Sequence, residues 1–450
     1  MSRLTAIFAA LWTWVLVLAE GVLAIGCLVA RGASVYASEG RAGLAPFLTA
    51  PGTQVILFQA LRPFLPNLSI GRVVMKAYEN TGTAVVTRRC DVLDVLNRNE
   101  EFEVVYGPRM RRLTAGDNFF LGMQPGWDYT RDTSAMRLAA RRPDVAGIVA
   151  PRARDLAAGI VAQSGGRIDL PPMLTLEVPW DMTRHYFGVG GERETMQDWT
   201  TVLFWYLFED LTADPALDAR AMACAADLRG YLDDAIARRK GTGAPWGETI
   251  LDRCLALQSS DTPGMSDLGI RNNLLGLLIG AIPTISKACC LAMDELLNRP
   301  EALASAHLAA KAGDEALVAR HIWEALRFNP HNPVIYRRAT RDAVVARNSV
   351  RQMTVKQGQI VFAATLSAMF DRYDIAQPHR FRTDRPWEDY IIWGYGLHEC
   401  FGAQINAAVI PAILTPLLAQ ENPRRARGAA GLVDGGGTPH PRHFHLEFDA

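Results

Sequence analysis

The stretch of this chain best suited to chemistry is Trp393-Gly-Tyr-Gly-Leu-His-Glu-Cys-Phe-Gly402. It sets one cysteine, Cys400, in a loop punctuated by glycines, with His398 just before it and a long apolar run after it. A structural zinc site needs several sulfur or imidazole ligands at close spacing, and the chain has no C-x-x-C pair. A single thiolate in such a loop fits one axial ligand on haem iron, whose positive charge favours the ionised sulfur. Small residues on either side let backbone N–H groups approach the sulfur, which is one use for Gly396 and Gly402. A helix starting just after Cys400 would aim its positive end at the sulfur. His398 is placed to reach a haem propionate. The residues alone also allow a glycine-rich turn before a core helix, with an inert cysteine.

The elements that must position this loop belong to a 450-residue chain, 49% hydrophobic and 21% charged, which can bury a large core. Lys+Arg 47 balance Asp+Glu 47. That total gives no sign of nucleic-acid binding. The basic clusters, such as Arg137, Arg141 and Arg142, read first as solvated faces. The seven cysteines are odd in number and scattered, so no disulfide framework fits and a reducing compartment is the simplest inference.

From Leu4 to Ala30 there is no Lys or Arg, and Glu20 is the one acid. As a helix this run spans roughly 40 Å, enough to cross a hydrocarbon core of about 30 Å. Residues 1–32 are therefore expected to be a retained membrane anchor ahead of a catalytic domain at 33–450. A signal peptide, or a helix lying at the interface or packed on the domain, are the alternatives. Glu20 weighs against a spanning helix, because a carboxylate at mid-bilayer is costly unless protonated or paired. Arg3 before the run, against Arg31, Arg41 and Arg62 after it, places the main body in the cytoplasm. If residues 4–30 pack on the domain instead, the protein is soluble and cytoplasmic.

Strand-like runs stand at Val73-Val-Met75, Ala84-Val-Val-Thr87, Val334-Ile-Tyr336, Ala343-Val-Val345, Gln359-Ile-Val-Phe362 and His443–Phe448. Helical patterning dominates from about 146 to 330, including Ala216–Arg239, Leu274–Leu297 and His321–Arg327. Cys400–Gln420 is apolar and expected to be helical despite Pro411 and Pro416. The expected class is mainly α with a small β portion.

The Cys400 loop resembles the haem-binding signature of the cytochrome P450 family, Phe-Gly-x-Gly-x-His/Arg-x-Cys-x-Gly. Trp393 replaces the usual phenylalanine, and Gly394, Gly396, His398, Cys400 and Gly402 match. The resemblance covers roughly residues 70–450 and implies a cytochrome P450-like fold, here preceded by a hydrophobic helix, with haem b as cofactor. It assigns the family's Glu-x-x-Arg pair to Glu324 and Arg327, which share a helix face at this spacing. Pro378-His-Arg-Phe381 is similar to the family's Pro-x-Arg-Phe segment and offers Arg380 as the third member of a structural ion network. Arg337, with Arg338 as the neighbouring alternative, matches a propionate-binding arginine. Trp127 and Arg131 resemble the W-x-x-x-R pair with the same task, although a core tryptophan and surface arginine fit them as well.

On the long helix the family usually has Ala/Gly-Gly-x-Asp/Glu-Thr. The chain reads Gly280-Ala281-Ile282-Pro283-Thr284. Thr284 takes the alcohol position, and Pro283 stands where the acid of the proton relay belongs. Proline removes a helix hydrogen bond and is expected to kink the helix. Leu278, Ile282, Val334 and Ile335 are candidate substrate-facing positions, which suits a lipophilic substrate. The resemblance implies O₂-dependent monooxygenation, by hydroxylation or epoxidation. No flavin or iron–sulfur motif is present. Electrons must then come from a separate ferredoxin- or flavodoxin-type protein or a reductase, with Arg137, Arg141 and Arg142 as docking candidates. Pro283 raises the alternative of a peroxide-driven or hydroperoxide-rearranging enzyme, and a non-catalytic haem-thiolate sensor is a third reading.

Overall fold

The computed structural model describes residues 3–449. They fall into two compact units. The first comprises Met1–Met75, Glu79–Glu103 and Arg327–Leu397; the second comprises Lys76–Tyr78, Val104–Leu326 and His398–Ala450. Among the described residues there are ten strands. In chain order they are β1 Asn67–Ile70, β2 Thr83–Val86, β3 Phe102–Glu103, β4 Arg167–Asp169, β5 Ile335–Ala339, β6 Ala343–Val345, β7 Met353–Val355, β8 Ile360–Ala363, β9 Glu421–Arg425 and β10 His445–Asp449. The remaining structure is mostly helical, as the patterning predicts.

The first unit is built on a five-stranded sheet in the order β1-β2-β8-β5-β3, with a β6–β7 hairpin. Its β-branched strands alternate inward residues, and Ala84, Val86, Val361 and Ala363 are fully buried with Phe102 and Phe370. Val73-Val-Met75 is not a strand, contrary to its composition. Val73 and Val74 are exposed there, and the pairing partner of β2 is instead Asn67–Ile70, in register Leu68 with Val85. Without a neighbouring strand, β-branched residues do not make one.

The second unit is helical, with a small sheet in the order β4-β10-β9. Its longest helix, Asp267–Leu297, begins earlier than the apolar run because Ser266 caps it, accepting the N–H of Gly269 at 3.1 Å. This helix is apolar enough to pass for a membrane span, but 67% of its window is buried, as a core helix requires. The helix Ala403–Leu418 carries Pro411 and Pro416 inside it. Val409, Ile410, Ile413, Leu414, Leu417 and Leu418 are all 0% exposed. Burial at about 1.5–3 kcal/mol each outweighs about 3 kcal/mol for each interior proline.

Glu324 and Arg327, on the helix Glu315–Phe328, are both 0% exposed. Arg327 donates to the carbonyls of Met369 (3.0 Å) and Pro378 (2.8 Å), and its guanidinium lies over Phe370. Arg380, expected beside them, is exposed. The buried arginine of this segment is Arg385, which donates to the carbonyls of Ala376 (2.8 Å), Gln377 (2.8 Å) and Arg380 (2.9 Å). The chain turns between Pro378 and Pro386, so Arg380 contributes its carbonyl and sends its side chain to solvent. Arg380, expected as the third member of the network, is thus exposed, and Arg385 is the arginine that this segment buries.

Arg385→Met would remove the guanidinium donor from all three carbonyls, leaving that of Gln377 only the Arg380 N–H, and should cost about 3 kcal/mol or more in denaturant unfolding. Arg380→Ala should stay within about 0.5 kcal/mol of the parent.

Candidate active site

Cys400 lies in the second unit, three residues before the helix Ala403–Leu418. The Cys400 carbonyl accepts the N–H of Ala403 at 3.1 Å, and the Gly402 carbonyl accepts that of Asn406 at 2.9 Å. The helix thus opens directly behind the sulfur, with its unpaired N–H groups and positive dipole end on that side. Cys400 is half-buried as a residue. Desolvation nonetheless pushes its thiol up to about 11, while the N–H of Gly402 pulls the other way. A side chain at Gly402 would begin 3.8 Å from Sγ, in contact with the sulfur.

All seven cysteines are free. Cys254 and Cys290 are buried in the helical core, and desolvation raises each to about 12. The Thr175 hydroxyl, 3.7 Å from Cys290 Sγ, favours the thiolate there but does not offset burial. Asp169, His443 and His445 form a small surface cluster where β4 meets β10.

The first five residues of the signature belong to the first unit. Gly394 and Gly396 have φ of 83° and 73°, a left-handed backbone that favours glycine. A Cβ on Gly396 would also meet Asn97 Oδ1 at 2.8 Å. Trp393 is half-buried, its ring 5.3 Å from that of Trp387. Arg337 is the buried member of its pair, 2% exposed in the middle of β5, while Arg338 faces the other way and pairs with Glu103 at 3.0 Å. Strand alternation turns one of the pair inward and the other outward. Val334 and Ile335 are half-buried against the core of this unit.

Around the thiol loop, the helix Trp127–Ala139 contributes different residues from those expected. Trp127 is 71% exposed. Arg131 pairs with Asp132 at 2.7 Å and Asp128 at 2.9 Å. Two other side chains of that helix meet the loop. The Tyr129 ring stands edge-on to His398 with centroids 5.1 Å apart, and the Arg137 guanidinium lies 5.5 Å from the centre of the Phe401 ring. Desolvation raises the Tyr129 pKa, opposed by the charge of Arg137. Phe120 closes on Phe401 from another side, at 4.9 Å. Sequence spacing pointed to Trp127 and Arg131 through a short motif. Tyr129 carried no signal beyond sharing the helix, and Arg137 stood out only as part of a basic cluster, as a docking candidate for a donor protein.

The helix Asp267–Leu297 packs against Ala403–Leu418 within the same unit. It stays helical through Pro283. Gly280 is exposed and no atom lies within 4 Å of where its Cβ would stand, so this side of the helix faces open space. Leu277 and Thr284, half-buried, share that side. The Thr284 hydroxyl donates to the Gly280 carbonyl, with Ala281 O at 3.4 Å as a second acceptor. Leu278 and Ile282 are both 0% exposed and point away from Gly280, so the open face takes its aliphatic side chain from Leu277 instead. One turn beyond Thr284, Lys287 pairs with Glu209 at 2.5 Å, whose other oxygen stands 3.0 Å from His440 Nε2. Glu209 thus brings a carboxylate from another element to Lys287 on this helix.

A family model for cytochrome P450 matches residues 69–420. The chain is 27% identical to cytochrome P450 105A3 of Streptomyces carbophilus over 322 residues, 69% of this chain and 71% of that protein. It is also 27% identical to the erythromycin C-12 hydroxylase of Saccharopolyspora erythraea over 258 residues, 57% of this chain and 61% of that protein. In fold it is similar to P450BioI, solved with an acyl carrier protein bearing hexadec-9Z-enoic acid (TM-score 0.74, 16% identity, 89% of this chain and 99% of that one). A second fold likeness is to a mutant of P450 EryK in complex with erythromycin B (TM-score 0.71, 20% identity, 89% and 97%). With the family match extending over most of its length, the chain belongs to the cytochrome P450 family.

Proposed function

We propose that this chain is a haem-thiolate monooxygenase that inserts one oxygen of O₂ into a lipophilic small molecule, using electrons from a separate donor protein. The observation that carries the proposal is Cys400, set within the family signature directly before a helix N-terminus and beside the Gly402 N–H. The donor set suits haem b: one thiol for the iron, with cations and an imidazole for the carboxylates. Haem held by the Cys400 thiolate would supply the oxygen activation. The chain's own residues do the rest. Cys400 ligates, and Gly402 and the following helix stabilise its negative charge. His398 and Arg137 are proposed to hold carboxylate oxygens, and Arg337, buried in the first unit, retains the same role that the resemblance implies. Arg137 takes the place proposed for Arg131, whose guanidinium is already paired with two aspartates.

Gly280 leaves space on the open face of the long helix, and Thr284 holds a hydroxyl proton there. With Pro283 unable to donate, Glu209 is the acid proposed to serve that face, oriented by Lys287 and His440. Leu277 offers apolar contact on the same face. Relatives named as hydroxylases of erythromycin and vitamin D(3) support a lipophilic substrate.

Pro283 is the specific observation behind a second reading, a peroxide- or hydroperoxide-using enzyme. Product formation that needs NAD(P)H and a ferredoxin- or flavodoxin-type donor chain supports the monooxygenase. Equal turnover with hydrogen peroxide or a lipid hydroperoxide and no reductant would replace it with the second reading. In the donor-driven assay Thr284→Ala should lower product formation on the order of 10²-fold while reductant is still consumed.

The carboxylate assignment has its own test. Arg137→Ala should weaken haem retention about tenfold or more when haem is challenged away by apomyoglobin, as loss of a charge-assisted hydrogen bond requires. Arg131→Ala should retain haem like the parent.

A further inference from the structure

The N-terminal helix, Arg3–Thr49, is broken at Gly40, where φ is 66° and ψ −153°. Beyond that turn the chain runs back along itself, through residue 49 and the helix Pro51–Phe64. A Cβ on Gly32 would touch Phe47 at 3.6 Å, and one on Gly21 would strike Pro63 at 2.4 Å and Phe64 at 2.8 Å. The segment is therefore an antiparallel hairpin whose limbs approach closely at Gly21. Both limbs grip the segment Phe370–His379 of the first unit. From the outgoing limb, Glu20 accepts from Arg372 Nε at 2.9 Å and stands 3.6 Å from His379 Nε2. From the returning limb, the buried Arg62 donates to the Phe370 carbonyl.

The two sides of the outgoing limb differ. Val17, Gly21 and Ala24 are buried on the side that carries Glu20. The opposite side presents Phe8, Leu11, Trp12, Val15, Val22, Leu23 and Val29, each at least 47% exposed. These residues form a charge-free apolar stripe roughly 30 Å long. The segment Leu11–Leu44 contains a stretch long and apolar enough to cross a membrane, and little of that stretch is buried. Composition alone made this run a candidate spanning anchor. A spanning helix must offer its midpoint to hydrocarbon on every side. Here the middle of the run is held by the salt bridge of Glu20, and drawing that pair into a bilayer would expose its charges to hydrocarbon.

We infer that the N-terminal hairpin is a monotopic membrane seat, lying in one leaflet of an anionic bilayer with its apolar stripe inward and its N-terminus on the same side as the main body. Trp12 and Trp14, 64% and 53% exposed, suit the headgroup level at one end of the stripe. The exposed Arg31 and Arg41 flank the other end and meet anionic headgroups. A lipid surface accounts for the aromatic and basic flanks together with the uncharged stripe between them. The inference is independent of the haem assignment.

The test uses the full-length holoprotein with sealed vesicles of phosphatidylcholine and phosphatidylglycerol, the main body outside. The protein should float with these vesicles. Trp12→Ser with Leu23→Ser should reduce the bound fraction about tenfold without changing the haem spectrum. For topology, Ser2→Cys is introduced in a Cys27→Ser, Cys90→Ser background and treated with a membrane-impermeant maleimide. Labelling without detergent is the expected result. Labelling only after detergent would mean that the helix crosses the bilayer. Failure to float, with the stripe covered instead by a second copy in size-exclusion analysis, would also overturn the inference.

Discussion

A desolvated thiol resists ionisation, and the site of this protein is organised around that resistance. Burial pushes the Cys400 thiol up to about 11, so the side chain alone would stay protonated at neutral pH. The neighbouring Glu399 carboxylate adds to the cost of charge on that sulfur, and the other features around it lower that cost. Gly402 exposes its N–H, the helix Ala403–Leu418 begins just behind the sulfur, and the iron of the family's haem supplies the positive charge that makes the thiolate stable. The glycines follow from the same demand. Gly394 and Gly396 turn the chain through left-handed backbone, and a Cβ at Gly396 would also push against the Asn97 side chain.

The loop itself was legible in the sequence because its chemistry depends on residue type at fixed spacing. Its supports were only partly so. Arg337 could be separated from Arg338 only by strand alternation, which needs the register of β5. Arg380 and Arg385 are near neighbours of one type, and which of them is buried depends on how the segment turns between Pro378 and Pro386. Spacing along a helix likewise could not tell that Arg131 faces two aspartates while Arg137 faces Phe401. In each case the sequence pointed to an element, and burial and pairing distinguish the residues on it.

The long helix shows the same limit from another direction. Its motif, Gly280 to Thr284, identified the segment and exposed the anomaly of Pro283. It did not reveal which side of the helix is open: Leu278 and Ile282, expected to face the substrate, are both fully buried, and Leu277 shares the open side. Nor could it show that Glu209, distant in sequence, approaches Lys287. The N-terminal run is a parallel case. Apolar length predicted an anchor, but Glu20, which looked like a flaw in that anchor, is the residue that docks the helix.

The measurement that bears most directly on this account is the absorption spectrum of the reduced protein under carbon monoxide, for the parent and for Cys400→Ala. The account predicts a strongly red-shifted Soret band in the parent, the signature of a thiolate opposite the carbon monoxide, and its loss in the variant. A parent without that band, or a variant with the same spectrum, would contradict the assignment of Cys400 as the haem ligand.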